Sequence, residues 1–289
     1  MTLSIATPAV HPTAALVVLS AYLATQRERA GVKVGEAARR IHRHATTLAQ
    51  YEDGTRWIPE NELCSLMLLY GRQQRDIRET RQLLHQQTPE EFRDYGICAR
   101  ERARALEARS QRITVFTSWD IPPFLYSEPY RDYQDRHGGV EVLPPRPRPS
   151  CPLTLLVDEA VLHRPFGGPA VMAAQLLYWI GLALTGGIKL GVLPLAHGIT
   201  THTGVLSEVT MLGGNQIWVD DAAMPIYSTG QAGTSRSACL RYVEAHILDP
   251  RDSLQAVREA ADRWADKAAD SLPRSRRLGT RPKPDPATS

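Results

Sequence analysis

Between residues 19 and 110 apolar side chains recur at helical spacing among Arg, Glu and Gln, and Gly and Pro interrupt only at intervals. This pattern predicts helices over 19–30, 35–41 and 46–52, with Gly31 ending the first and Gly54 closing the third. From about residue 112 the texture becomes strand-like, with short β-branched runs at 113–116, 153–157, 188–193, 205–211 and 216–219. Helical patterns return at 169–184, 235–247 and 253–269. The expected fold class is α + α/β, an all-α N-terminal domain followed by a mixed α/β C-terminal domain.

The punctuation divides the chain. Residues 1–13 read as a flexible tail, 14–72 as a helix-turn-helix domain, 73–111 as a helical bridge interrupted near Pro89 and Gly96, and 112–272 as an α/β domain. Residues 273–289 are basic and Pro-rich and read as a disordered tail. The run 144–149 is an extended, polyproline-like connector.

In 35–52 two short helices are joined by a tight turn, the geometry that sets a second helix into the major groove of DNA. Ala37, Ala38, Ile41, Leu48 and Tyr51 would face inward, and Thr46, Thr47 and Gln50 outward. Gln reads adenine with two hydrogen bonds, and Thr meets a thymine methyl. Arg43 and His44 precede this helix, so Arg43, His44, Thr46, Thr47 and Gln50 are the candidate DNA-binding residues. The helix itself carries no Arg or Lys, and Val34 opens the one before it.

Composition narrows the reading only a little. The 289 residues are 43% hydrophobic and 22% charged, ordinary for a soluble protein of about two domains. No run reaches the ~18 apolar residues of a membrane span; 171–184 is the best and contains Gln175. The apolar run 14–19 lacks the Lys or Arg flank of a secretory signal. Cys64, Cys98, Cys151 and Cys239 form no CxxC pair, so neither zinc module nor disulfide framework is signalled, and a cytoplasmic location is expected. Net charge is +3, which does not announce a nucleic-acid binder. Only Lys33, Lys189, Lys267 and Lys283 among the 34 cationic residues are Lys. Arg forks suit phosphate and carboxylate, although a GC-rich genome gives the same bias.

The order Gly31-Val32, Ala37-Ala38-Arg39-Arg40-Ile41, Thr46-Thr47-Leu48, Glu52-x-Gly54, Trp57-Ile58-Pro59 resembles the XRE type of lambda-repressor-like helix-turn-helix regulators. The resemblance implies that Glu52 pairs with an Arg of the first helix, for which Arg27 is placed. His42 holds the turn where that family has Gly. A second resemblance, over Leu106–Phe116, Ile121–Leu125, Val157–Leu162, Arg164-Pro165, Gly167–Pro169, Gln175-Leu176, Val192–Pro194 and Ile217–Asp220, is to the antitoxin-like effector domain that follows XRE modules in actinomycete regulators. It implies a regulator and names no ligand.

Catalytic chemistry finds little support. Asp158-Glu159 are adjacent and do not face each other; capping of a helix start, with a salt bridge to Arg164, is the expected role. His197 and His202 lack a third convergent metal ligand. No G-x-S-x-G, G-x-G-x-x-G or P-loop pattern occurs. No catalytic residue, metal or cofactor is therefore assigned. Trp119, Phe124, Tyr126, Trp218 and Tyr227, with Trp179, would line an apolar effector pocket or else lie in the core. The expected function is a DNA-binding transcriptional regulator, homodimeric on double-stranded DNA, whose C-terminal domain senses a small molecule or partner protein. The alternative is a small-molecule-binding or catalytic biosynthetic protein on the same scaffold, without specific DNA binding.

Overall fold

The computed structural model describes residues 12–86, 89–137, 148–198, 202, 204–212, 214–220 and 224–271. The tail 273–289, most of the tail 1–13 and most of the connector 144–149 lie outside them.

The first helix, α1 (Ala14–Arg29), starts five residues earlier than expected. Thr13 caps it, its hydroxyl accepting from the Leu16 N–H at 3.4 Å. Every residue from Ala14 to Gln26 is buried. The run 14–19 carries no one-sided stripe because this helix has no solvent face, and a helix apolar on all sides belongs inside a protein. Four helices follow it in sequence, α2 (Val34–Arg40), α3 (Ala45–Glu52), α4 (Glu60–Leu69) and α5 (Gln74–Leu84), of which α3 and α5 pack on it.

The segment expected as a helical bridge is helical at both ends only. After α5 the chain forms a short strand, β1 (Glu91–Arg93), and then α6 (Ala99–Ala108), which packs along α1. Three residues are too few for a periodic signal. Pairing in the tertiary structure makes the strand, with Phe92 stacked on Tyr227 at 5.2 Å.

The remaining elements are β2 (Ser110–Thr117), α7 (Glu128–His137), β3 (Leu153–Asp158), α8 (Glu159–Leu162), α9 (Pro169–Leu184), β4 (Lys189–Leu193), β5 (Val205–Met211), β6 (Gln216–Asp220), β7 (Ile226–Ser228), α10 (Thr234–His246) and α11 (Pro250–Asp270). They build one mixed sheet in the order β1-β7-β6-β5-β2-β3-β4. β2, β3 and β4 run parallel; the other neighbours are antiparallel. Alternation along the strands gives the sheet two apolar faces. Ile113, Val115, Leu155, Val157, Val192, Val209 and Ile217 belong to one core that runs on into α1, α6, α9 and α11. Phe116, Leu156, Leu193, Leu206 and Trp218 form a second, closed by Cys239, Leu240 and Val243 of α10.

A polar seam fastens α6 to its neighbours. Arg102 is 1% exposed, and its Nε and Nη2 donate to Asp94 Oδ2 and Oδ1 at 2.6 and 2.7 Å. The Asp94 N–H in turn donates to Pro225 O at 2.9 Å, beside β7. Tyr22 of α1 donates to Glu101 Oε2 at 3.2 Å, which also accepts from Arg72 at 3.0 Å. Cys98, hydrogen-bonded to Asp76 at 3.4 Å, has its thiol pushed up to about 11 by burial and that carboxylate.

Removing one partner of a buried ion pair strands the other charge, so Arg102→Ala is expected to lower unfolding free energy by about 3–5 kcal/mol, read from urea midpoints. A loss below ~1 kcal/mol would show that the pair does not hold the seam. The Cys98 thiol is neutral in the folded chain well above the pH at which it ionises when unfolded. Its contribution is therefore full below about pH 9 and is lost as pH rises towards 11; Cys98→Ala should flatten that alkaline limb of the stability curve.

Candidate nucleic-acid interface

Helices α2 and α3 meet across Ile41–His44. Ala37 and Ala38 are buried at 0% and 2% exposure, which lets α2 approach its neighbours closely. His42 takes the left-handed conformation (φ 54), and it alone of the described non-glycine residues has positive φ. The Arg43 N–H donates to Ala38 O at 2.9 Å and closes the turn.

Two carboxylates hold α3 at its ends. At the C-terminal end Glu52 accepts from Arg27 Nε at 2.7 Å and Nη2 at 2.9 Å, the fork that the sequence resemblance implied. Arg27 Nη1 also donates to Val32 O at 3.1 Å, so one guanidinium joins α1, α3 and the lead into α2. At the N-terminal end Arg43 Nε and Nη2 donate to Glu62 Oε1 at 3.0 and 2.7 Å, and Tyr51 donates to Glu62 Oε2 at 3.1 Å. Burial, then the bond to Glu62, pushes the Tyr51 phenol above its ordinary value. Sequence reasoning missed Glu62, because nothing in linear spacing ties α4 to the residue before α3.

Between these ties Leu48 and Tyr51 are buried, Thr46 and Gln50 are exposed, and Thr47 is half-buried. His44 is exposed and stands at the N-cap of α3 without capping it through its side chain. Arg43 is partly committed to Glu62, although 45% of its side chain remains exposed. Lys33, Arg39, Arg40, His42 and Arg56, none of them a candidate from the sequence, are also exposed in this part of the chain. The Arg56 N–H bonds Gln50 O at 3.1 Å and its guanidinium lies 5.9 Å from the Tyr51 ring centre, placing it just past the end of α3.

The aromatic residues expected to share an effector pocket do not converge. Trp218 lies on the α10 face of the sheet, its ring over Gly233, whereas Phe124 and Tyr227 belong to the other core. Tyr227 stacks on Phe92 at the β1 edge, Tyr126 packs on Tyr130 at 4.8 Å, and Trp119 is 56% exposed. Trp179 is fully buried and donates to Leu125 O at 3.1 Å. Strand alternation parts Trp218 from Tyr227, and the others lie outside the strands.

Asp158 caps α8, accepting from the Ala160 N–H at 2.9 Å, and burial raises its pKa. The expected salt bridge to Arg164 is absent among the described residues. Glu159 instead accepts from the Leu195 N–H at 3.0 Å, and the Arg164 guanidinium lies over Trp119. His197 packs against the His246 ring at 5.0 Å, while His202 Nε2 is 3.4 Å from Asp220 Oδ1. Burial lowers the His202 pKa. Among the described residues no group of three or more His, Cys, Asp or Glu could hold a metal ion, and no helix is long and apolar enough to cross a membrane.

Comparison with known families agrees with this geometry at both ends of the chain. A family model described as a helix-turn-helix domain matches residues 18–80, spanning α2, α3 and their ties. A second, described as a domain of unknown function (DUF5753), matches residues 100–259, more than half of the chain. The chain belongs to the DUF5753 family. No curated protein and no solved structure matches it. The DUF5753 region takes in most of α6 and all of the sheet except β1, so the helix-turn-helix segment packs through α1 against a helix of that region.

A β-branched side chain tolerates left-handed backbone poorly. His42→Val should destabilise the chain by about 1–2 kcal/mol in thermal melts, and His42→Gly should not. Equal melting of the two variants would mean that the turn conformation imposes no residue preference.

Proposed function

We propose that this chain is a DNA-binding transcriptional regulator of the XRE type found in actinomycetes, acting as a homodimer in the cytoplasm, with a DUF5753 region that receives a small molecule or partner protein. The observation that carries the reading is α3, tied at one end to α1 through Arg27–Glu52 and at the other to α4 through Arg43–Glu62. Thr46 and Gln50 are left exposed, with Thr47 half-buried beside them. A helix so fixed presents its side chains to base edges without the cost of ordering them first. Thr47 and Gln50 would touch bases, and His44 with Thr46 would flank them. Arg43 would position the helix and keep part of its guanidinium for phosphate. Lys33, Arg39, Arg40, His42 and Arg56 would supply the sequence-independent attraction that α3 lacks. Two copies would set their α3 helices about one DNA turn apart.

A regulatory coupling follows from the shared core. Because α1 packs on both α3 and α6, a shift of the DUF5753 region would move the helix-turn-helix, and operator DNA would in turn change effector affinity by the same factor.

The test is fluorescence anisotropy with the chain's own upstream region against random duplex. Thr47→Ala and Gln50→Ala are each expected to weaken specific binding by about 1–3 kcal/mol. Arg39→Ala and Arg56→Ala should weaken binding to both duplexes alike and lessen the salt dependence. Wild-type affinity equal on the two duplexes would refute a sequence-specific regulator. One observation favours the alternative, a binding or catalytic protein without specific DNA recognition: α3 bears no Lys or Arg, and Arg43 leans on Glu62. Equal affinities would leave that reading standing.

A further inference from the structure

The three parallel strands end together, and their carboxyl ends carry polar chemistry that the DNA reading leaves unused. After β4 the chain crosses back to pair β5 with the other side of β2, so the strand order reverses beside the end of β2. β5 begins there, Val205 lying opposite Thr117 in antiparallel register.

The turn after β2 is rigid. Thr117 donates to Asp120 O, the Ser118 N–H donates to Gly204 O at 3.1 Å, and the Ser118 hydroxyl both donates to His202 O and accepts from the Gly204 N–H, each at 3.1 Å. At its tip stands Trp119, the one exposed tryptophan of the five. Arg164, which follows α8 beyond the end of β3, stacks its guanidinium 3.6 Å from the Trp119 ring centre. Its Nε–H is shielded from water and has no acceptor. No carboxylate lies within ion-pair distance of it among the described residues, although its charge acts on Asp158 against the effect of burial; Asp158 and Glu159 accept from backbone N–H groups, and Glu159 also lies 3.6 Å from His163 Nε2. A buried donor without an acceptor is uncommon in folded proteins and calls for an explanation. Stacking on an aromatic face leaves the edge of the guanidinium plane free, which is the edge that takes carboxylate or phosphate oxygens in pairs.

We propose that the carboxyl ends of β2 and β3 form a binding site for a small aryl carboxylate or aryl phosphate, its anionic group taken by Arg164 and its ring set against the exposed part of Trp119. The site lies in the DUF5753 region and does not require that the chain bind DNA. An anion would meet the Nη edge of the guanidinium, reaching the buried Nε–H only as the Arg164 side chain shifts, and an attached ring would cover apolar indole surface now in water.

The full chain is titrated with benzoate and with phenyl phosphate, following tryptophan emission and heat, with benzamidine as the cationic control. Saturable binding of at least one anion and none of benzamidine is expected, with an emission change that Trp119→Phe removes. Loss of charged hydrogen bonds in Arg164→Gln should weaken binding at least tenfold, and Arg164→Lys should retain part of it. Binding of benzoate alone would mark a carboxylate site, and of phenyl phosphate alone a phosphate site. No saturation by either, or wild-type binding by Arg164→Gln, would overturn the proposal. Should Arg164→Gln not fold, iodide quenching of wild-type Trp119 decides: protection by the bound anion supports the site, and unchanged quenching refutes it.

Discussion

Everything in this molecule is built around a helix that has no outside. Thirteen consecutive residues of α1 are buried, and they can be buried only if other elements close on it from every direction. Helices of the helix-turn-helix close one part, α5 and α6 another, and β1 and β7 touch it as well. Left bare, the largely apolar stretch of α1 from Ala14 to Ala24 would expose an adhesive surface, and the helix-turn-helix and the DUF5753 region share one continuous core through it. This sharing means that neither half buries its apolar surface without the other.

The polar parts of the N-terminal half do a different job from the apolar ones. Apolar packing tolerates small shifts, whereas a forked Arg–carboxylate pair fixes direction as well as distance. Arg27–Glu52 and Arg43–Glu62 apply that constraint to the two ends of α3. Glu52 and Glu62 are both nearly buried, so each needs its Arg. The Arg102–Asp94 pair fastens α6 to the strand edge on the same principle. Positioning by buried charge thus recurs at α3 and at the joint between the two regions.

Much of the plan can be read without coordinates. Helical spacing marked α2 and α3 to within a residue or two, and β-branched runs marked β2 to β6, because a 3.6-residue stripe and a 2-residue alternation are local properties. The Arg27–Glu52 tie was legible too, through the resemblance to the helix-turn-helix regulators rather than through periodicity. The outward side of α3 followed from the same periodicity.

The rest depended on which distant segments meet. The start of α1 was misplaced because the run 14–19 shows no amphipathic stripe when all of its surroundings are protein. β1 is three residues long and exists only because β7 lies beside it. Glu62 as partner of Arg43, and Trp119 in place of Asp158 as partner of Arg164, were set by the packing of α4 and by the turn after β2. Of the aromatic residues that composition grouped into one pocket, the sheet set Trp218 on one face and Phe124 and Tyr227 on the other. Sequence alone determined the local periodicities and the bounds of α3. Tertiary structure decided the pairings between remote charges and faces, because those energies depend on separations in space that linear order does not encode.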